Sequence, residues 1–130
     1  MESNFRISSE ELQADVPVTV FHVCGWLDAQ SEEQLLGAAR IAYDEGARYL
    51  LIDMKEIDTL TSAGMRALQK VYQIFTPKED HFKVSHVKLC NAPQQIYNLL
   101  GITGFLHNIP TYESIDAALQ SFGKESFGTS

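Results

Sequence analysis

The residues with the most to offer chemically lie between Leu50 and Leu68, where an apolar run ending at Asp53 leads through a short polar turn into Thr61-Ser62-Ala63-Gly64-Met65. The pattern is that of a buried strand handing over to a helix, with Ser62 where the helix should begin. A helix N-terminus carries unpaired backbone N–H groups and the positive end of the helix dipole, so it tolerates an anion well. A hydroxyl placed there is suited to phosphorylation, because the added charge meets a favourable field. Taken alone, a serine in that place reads as an N-cap, worth about 1 kcal/mol to the helix, with no phosphorylation. Gly64 has a similar pair of readings: a point of close approach for a partner backbone, or room for the helix start to pack on the sheet.

Other chemistry has little support in the residue types and their spacing. The four histidines, His22, His81, His86 and His107, never fall at HxxxH or HExxH spacing, so no metal site is expected. The chain has no GxSxG elbow, no GxxxxGK[ST] phosphate loop and no GxGxxG turn. Asp28, Asp53 and Asp58 could meet in the fold, but most carboxylates solvate a surface, and no catalytic role is assigned to them. Cys24 and Cys90 each close an apolar run without CxxC or metal-ligand spacing and read as small core thiols. No cofactor is expected, and the chain is not read as an enzyme.

Composition narrows the partners. A formal charge of −7 with lysines and arginines spread singly, as at Arg40, Arg48, Lys55 and Arg66, opposes binding to a phosphate backbone. Of the 130 residues, 45% are hydrophobic and 21% charged, which suits a soluble globular protein. No apolar stretch approaches the length of a membrane span, and Met1-Glu2-Ser3-Asn4 lacks the basic and apolar regions of a signal peptide. Nucleic acid and membrane insertion are therefore not expected, and the cytoplasm is the expected location. The length predicts one domain over residues 1–122, with a flexible tail over 123–130.

The elements that would position Ser62 follow from periodicity. Val16 to Cys24 is rich in β-branched and aromatic residues with Val16, Val18 and Val20 at period two, predicting a strand whose start, at Pro17, lies near an edge. Ser31 is placed to cap a first helix with Leu35, Leu36, Ala39, Ala42 and Tyr43 on its core face, ended by Gly46. Tyr49 to Ile52, apolar without alternation, predicts a strand covered on both faces. The helix from near Ser62 buries Ala63, Met65, Ala67, Leu68, Val71, Tyr72, Ile74 and Phe75, turns Arg66, Gln69, Lys70 and Gln73 outward, and stops at Pro77. Beyond the polar connection of residues 76–83, Val84 to Cys90 predicts a strand, Pro93 opens a third helix through Leu100 that Gly101 caps, and Phe105 to Ile109 predicts a final strand. Thr111 is then placed to cap a last helix carrying Tyr112, Ile115, Ala118, Leu119 and Phe122. The alternation predicts an α/β fold: a mostly parallel, mixed sheet of four to five strands packed with four helices.

These residues carry a resemblance. Gly25-x-Leu27-Asp28, then Leu51-Ile52-Asp53-Met54, Ile57 and Thr61-Ser62-Ala63-Gly64-Met65, resemble a STAS domain of the bacterial anti-anti-sigma factor type. The likeness continues through Leu89-Cys90-Asn91-Ala92-Pro93 and Leu99 to Phe105, so it covers nearly the whole chain. That family usually has Asp-Ser-Ser-Gly-Leu at the start of the second helix, and alignment on the glycine puts the phosphoacceptor serine at Ser62. The chain departs from the pattern with Thr61 for the usual Asp and Ala63 for the usual Ser, and Thr61 is an alternative acceptor.

The resemblance implies a protein that works by binding. The unmodified domain would capture an anti-sigma factor, itself often a serine kinase of the ATPase fold, and phosphorylation would switch the capture off, with a serine phosphatase as a further partner. The partner surface would comprise Gly25, Asp28, Thr61, Ser62, Gly64, Met65, Arg66 and Gln69, with Met65 alternatively in the core. A second reading resembles the cytosolic STAS subunit of bacterial lipid-transport ABC machines, which needs no phosphorylation cycle. An enzyme acting on nucleotides or phosphoesters is a third, without a visible site.

Overall fold

The computed structural model describes residues 5–77, 86–104 and 109–123. Within them five strands and four helices alternate: β1 (Arg6–Gln13), β2 (Pro17–Leu27), α1 (Glu32–Asp44), β3 (Leu50–Leu60), α2 (Ser62–Phe75), β4 (Val87–Cys90), α3 (Gln94–Ile102), β5 (Thr111–Tyr112) and α4 (Ile115–Ser121). The strands form one sheet in the order β1-β2-β3-β4-β5. β1 runs antiparallel to β2, and all the other pairings are parallel. This is the expected α/β architecture: a mixed, mostly parallel sheet with four helices.

Alternation along β2 sorts the layers. Phe21, Val23 and Leu27 point into a core with Leu35, Leu36 and Ala39 of α1, Ala67, Leu68, Val71 and Phe75 of α2, and Ile96 and Leu100 of α3. Val18 and Val20 point the other way, to Leu51, Cys90 and the α4 residues and neighbours Ala118 and Phe122. With helices on both faces, β3 needs no polar alternation, and Leu50 to Met54 are all buried. α1 and α2 lie side by side, joined by the Tyr43–Phe75 edge-to-face ring pair at 5.4 Å and by Lys70 Nζ donating to Glu32 Oε2 at 2.7 Å.

Several boundaries differ from expectation, each for a local reason. β1 was not legible, because its partner covers one edge only and its side chains are mostly exposed, so no apolar period is required. β1 is therefore the edge, and Pro17 begins an inner strand, where a missing N–H is tolerated at the first position. Ser31 precedes α1 but does not cap it: its hydroxyl donates to the Trp26 carbonyl at 2.9 Å and accepts from the Asp28 N–H at 2.9 Å. α3 passes through Gly101 to Ile102, and the left-handed residue is Gly104, at φ 78°. Thr111 belongs to β5, whose pairing with β4 occupies its backbone, so the cap of α4 is Ser114, which accepts from Ala117 N–H at 3.1 Å. The strand expected over 105–109 and the tail from 124 lie outside the described residues, apart from Ile109, which is buried.

Candidate functional site

The β3–α2 turn is built by three residues with separate tasks. Thr61 is the N-cap: its extended backbone turns the chain, and its hydroxyl accepts from the Gly64 N–H at 3.2 Å. Its own N–H donates to the Leu27 carbonyl at 3.1 Å, which anchors the helix start to the end of β2. Gly64 is buried, and a Cβ there would collide with the carbonyl oxygen of Leu27 and stand 3.0 Å from Leu60 Cδ1. Ser62 is the first helical residue and is exposed. The cap role expected of Ser62 thus belongs to Thr61, because the extended residue before the helix is the one whose side chain can reach back to the third N–H.

The neighbouring residues divide between surface and frame. Arg66 is exposed one turn after Ser62, and Gln69 is half-buried. Met65 is half-buried, packed on the main core, and its Sδ lies 3.8 Å from Thr103 Oγ1 at the end of α3. Asp28 Oδ1 accepts from the Gln30 N–H at 3.0 Å and the Ser31 N–H at 3.2 Å, so this carboxylate shapes the entry to α1. Gly25 takes φ 98° beside two register shifts in the β2–β3 pairing, between His22 and Cys24 and between Gly25 and Trp26. A left-handed residue at a bulge favours glycine, and the bulge re-aims the end of β2 toward Thr61. Gly64 sits beneath this surface, enclosed by Leu27 and Leu60, and presents no side chain.

A second polar cluster stands on the α4 face of the sheet. His22 Nδ1 lies 2.8 Å from Asp53 Oδ2, and His22 Nε2 lies 2.6 Å from Glu10 Oε2. Asp53 Oδ1 accepts from Asn91 Nδ2 at 3.0 Å and from the Lys55 N–H at 3.1 Å. Burial is the largest influence on Asp53 and favours its neutral acid, but the bonds from Asn91, Lys55 and His22 together outweigh it, and its pKa falls below 3.8. For His22, too, partial burial is the largest influence and disfavours the imidazolium, yet Glu10 and Asp53 together raise its pKa above 6.5. Burial, helped by the Asp53 charge, pushes the Cys90 thiol up to about 12, which leaves it an inert core group. The cluster borders a cleft of about 490 Å³ lined by Arg6, Ser8, Cys24 and Lys55 as well. Period two along β2 puts His22 on the face of Val18 and Val20, but nothing in the spacing identifies Asp53, Glu10 and Asn91 as its neighbours.

Among the described residues, no helix is long and apolar enough to cross a membrane.

Comparison with known proteins agrees with this fold. BtrV of Bordetella bronchiseptica, a protein assigned as an anti-sigma factor antagonist, is 26% identical over 98 residues, 75% of this chain and 80% of that protein. An anti-sigma factor antagonist from Mycobacterium paratuberculosis superposes with a TM-score of 0.71 at 22% identity, covering 89% of this chain and 93% of that one. The anti-sigma factor antagonist SpoIIAA in its unphosphorylated form superposes with a TM-score of 0.60 at 11% identity, covering 87% and 92%. The STAS domain profile matches residues 10–118, from β1 into α4, and the chain belongs to the STAS domain family.

Proposed function

We propose that this protein is an anti-sigma factor antagonist whose capture of its partner is switched off by phosphorylation at Ser62. The observation that carries the proposal is the division of labour at the start of α2. Thr61 has its hydroxyl committed to the Gly64 N–H, whereas Ser62, one residue on, is exposed at the positive end of a 14-residue helix. Ser62 is therefore the acceptor in preference to Thr61. The likeness to anti-sigma factor antagonists supports the partner class, and the existence of a form of SpoIIAA designated unphosphorylated supports the kind of switch.

The partner is an anti-sigma factor, in this reading a serine kinase of the ATPase fold that also modifies Ser62, with a serine phosphatase restoring the free hydroxyl. Its docking surface is the start of α2, with Ser62, Met65, Arg66 and Gln69, together with the adjacent turn at Gly25 and Asp28. A phosphate adds about −1.5 to −2 of charge, which must be desolvated on docking and repels carboxylates of the partner. The domain acts by occupying or leaving that surface and performs no turnover.

The test has two stages. Proteins retained by the native chain in cell extract are identified, and the affinity of the recovered partner for wild type, Ser62→Ala and Ser62→Asp is then measured by calorimetry. The expected result is tight binding by wild type and Ser62→Ala and weakened binding by Ser62→Asp, with all three melting alike. Equal affinities in three folded proteins would overturn the switch and leave a fixed structural subunit, as in lipid-transport ABC machinery, as the better reading.

A further inference from the structure

The strongest feature outside the β3–α2 turn is the chain of side chains that crosses the sheet from its antiparallel edge to its centre. Glu10 comes from β1, His22 from β2, Asp53 from β3 and Asn91 from the residue after β4, and the contacts between them run from 2.6 to 3.0 Å. The register places Glu10 opposite Val20 in the antiparallel pair, so the Glu10 side chain reaches diagonally over β2 to His22. His22 and Asp53 are direct partners in the β2–β3 pairing, at the last pair before the register shifts.

Both ring nitrogens of His22 face carboxylate oxygens. An ionised carboxylate only accepts hydrogen bonds, and a neutral imidazole has one N–H and one lone pair. Only the imidazolium can satisfy both contacts at once, since it donates from Nδ1 and from Nε2. Removing one proton leaves a nitrogen lone pair opposed to a carboxylate, and the structure decides which side gives way. Asp53 is buried and is held independently by Asn91 and the Lys55 N–H, so the remaining ring proton stays on Nδ1. Glu10 is half-exposed on an edge strand and can turn to water. The bond that opens is therefore the one to β1.

We propose that Glu10, His22 and Asp53 form a proton-dependent clasp, in which protonated His22 ties the edge strand β1 across β2 to the buried carboxylate of β3, and loss of that proton opens this tie and loosens β1 while its backbone pairing with β2 remains. The remaining charged groups at the cleft are Arg6 on β1 and Lys55 and Glu56 on β3; α4 contributes only Ile115 to the cleft wall. All three charged groups are exposed, so water screens them more than the contacts within the clasp. The raised pKa of His22 has the sign that the geometry requires, since a group stabilised in its charged form by two anions holds its proton to higher pH. The clasp is independent of phosphorylation at Ser62.

The experiment is NMR of the full chain, with the His22 ring titrated by its proton and nitrogen shifts and the β1 amides followed by hydrogen exchange as protection factors. In wild type the His22 midpoint is expected above 6.5, and protection of the β1 amides around Glu10 is expected to fall about two- to fivefold as pH rises through that midpoint, the size appropriate to a partly exposed ion pair. Glu10→Gln, a change at an exposed position that leaves the fold intact, should lower the His22 midpoint and abolish the pH-dependent loss of protection. The clasp is overturned if His22 titrates at or below 6.5, if β1 protection is indifferent to the His22 midpoint, or if Glu10→Gln shows the same fall as wild type.

Discussion

Gly64 packs directly on the backbone of Leu27, so closely that a Cβ at residue 64 would overlap the Leu27 carbonyl oxygen. That carbonyl also accepts the Thr61 N–H. The first turn of α2 is thus fixed to the end of β2 by one hydrogen bond and one close contact, and the exposure of Ser62 follows from how that turn is seated.

Gly64→Ala is expected to destabilise the protein by about 1–3 kcal/mol, since backbone rather than a flexible side chain must move to admit the methyl group. Gly37 in α1 has no atom within 4 Å of an added Cβ and is the control. Gly37→Ala should stabilise by about 0.5–1 kcal/mol, because alanine loses less backbone entropy in a helix interior. Denaturant unfolding of the two variants should give changes of opposite sign.

Thr61→Ala should cost about 1 kcal/mol, the worth of an N-cap, whereas Ser62→Ala should lie within about 0.5 kcal/mol of wild type. Thermal melting checks both. A loss of about 1 kcal/mol in Ser62→Ala with none in Thr61→Ala would show that the serine, not the threonine, carries the cap. Mass spectrometry after treatment with the recovered kinase should place the modification on Ser62 with Thr61 unmodified.

Stability is expected to fall in acid through Asp53. Its folded pKa is lowered, so the contribution is present above the unfolded value near 3.8 and is lost as pH falls through the lower folded value. His22 acts at the other end: its raised pKa gives a contribution complete below the unfolded value of 6.5 and lost as pH rises through the folded one. Asp53→Ala should cost about 2 kcal/mol at neutral pH, since it strips a buried charged acceptor from His22, Asn91 and the Lys55 N–H. Its unfolding free energy should also show a shallower slope below pH 4 than wild type. An unchanged acid slope would mean that other carboxylates govern it.

Lys88 is fully buried on β4, with its Nζ donating to Ser121 Oγ at 2.8 Å and to the Ser121 carbonyl at 3.2 Å, and lying 4.4 Å from the Phe122 ring centroid. A cation at the C-terminal end of a helix is favoured by the dipole. Lys88→Ala should therefore expose the α4 amides to hydrogen exchange well before those of β3, while leaving α1 and α2 protected. Uniform loss of protection would show that α4 and the sheet open as one unit.

The sequence by itself determined which segments are strands and helices wherever one face had to be buried. The strand over Tyr49–Ile52 and the helix from Ser62 to Phe75 were legible because apolar runs and helical stripes record contact with a core. The stretch after Asp53, expected to be a short polar turn, instead continues β3 to Leu60 because its pairing with β2 runs on to Leu27. Local patterns could not tell which of two adjacent hydroxyls caps α2, because that depends on the backbone angle at Thr61 and on the Leu27 carbonyl that holds it. They were silent on β1, whose exposed edge requires no apolar period. They could not distinguish Ser31, whose hydroxyl bonds backward to Trp26, from Ser114, whose hydroxyl caps a helix. The Glu10–His22–Asp53–Asn91 cluster was decided by tertiary structure alone. Strand order and register bring together residues separated by up to 81 positions in the chain, and no spacing within one strand encodes its neighbour's register.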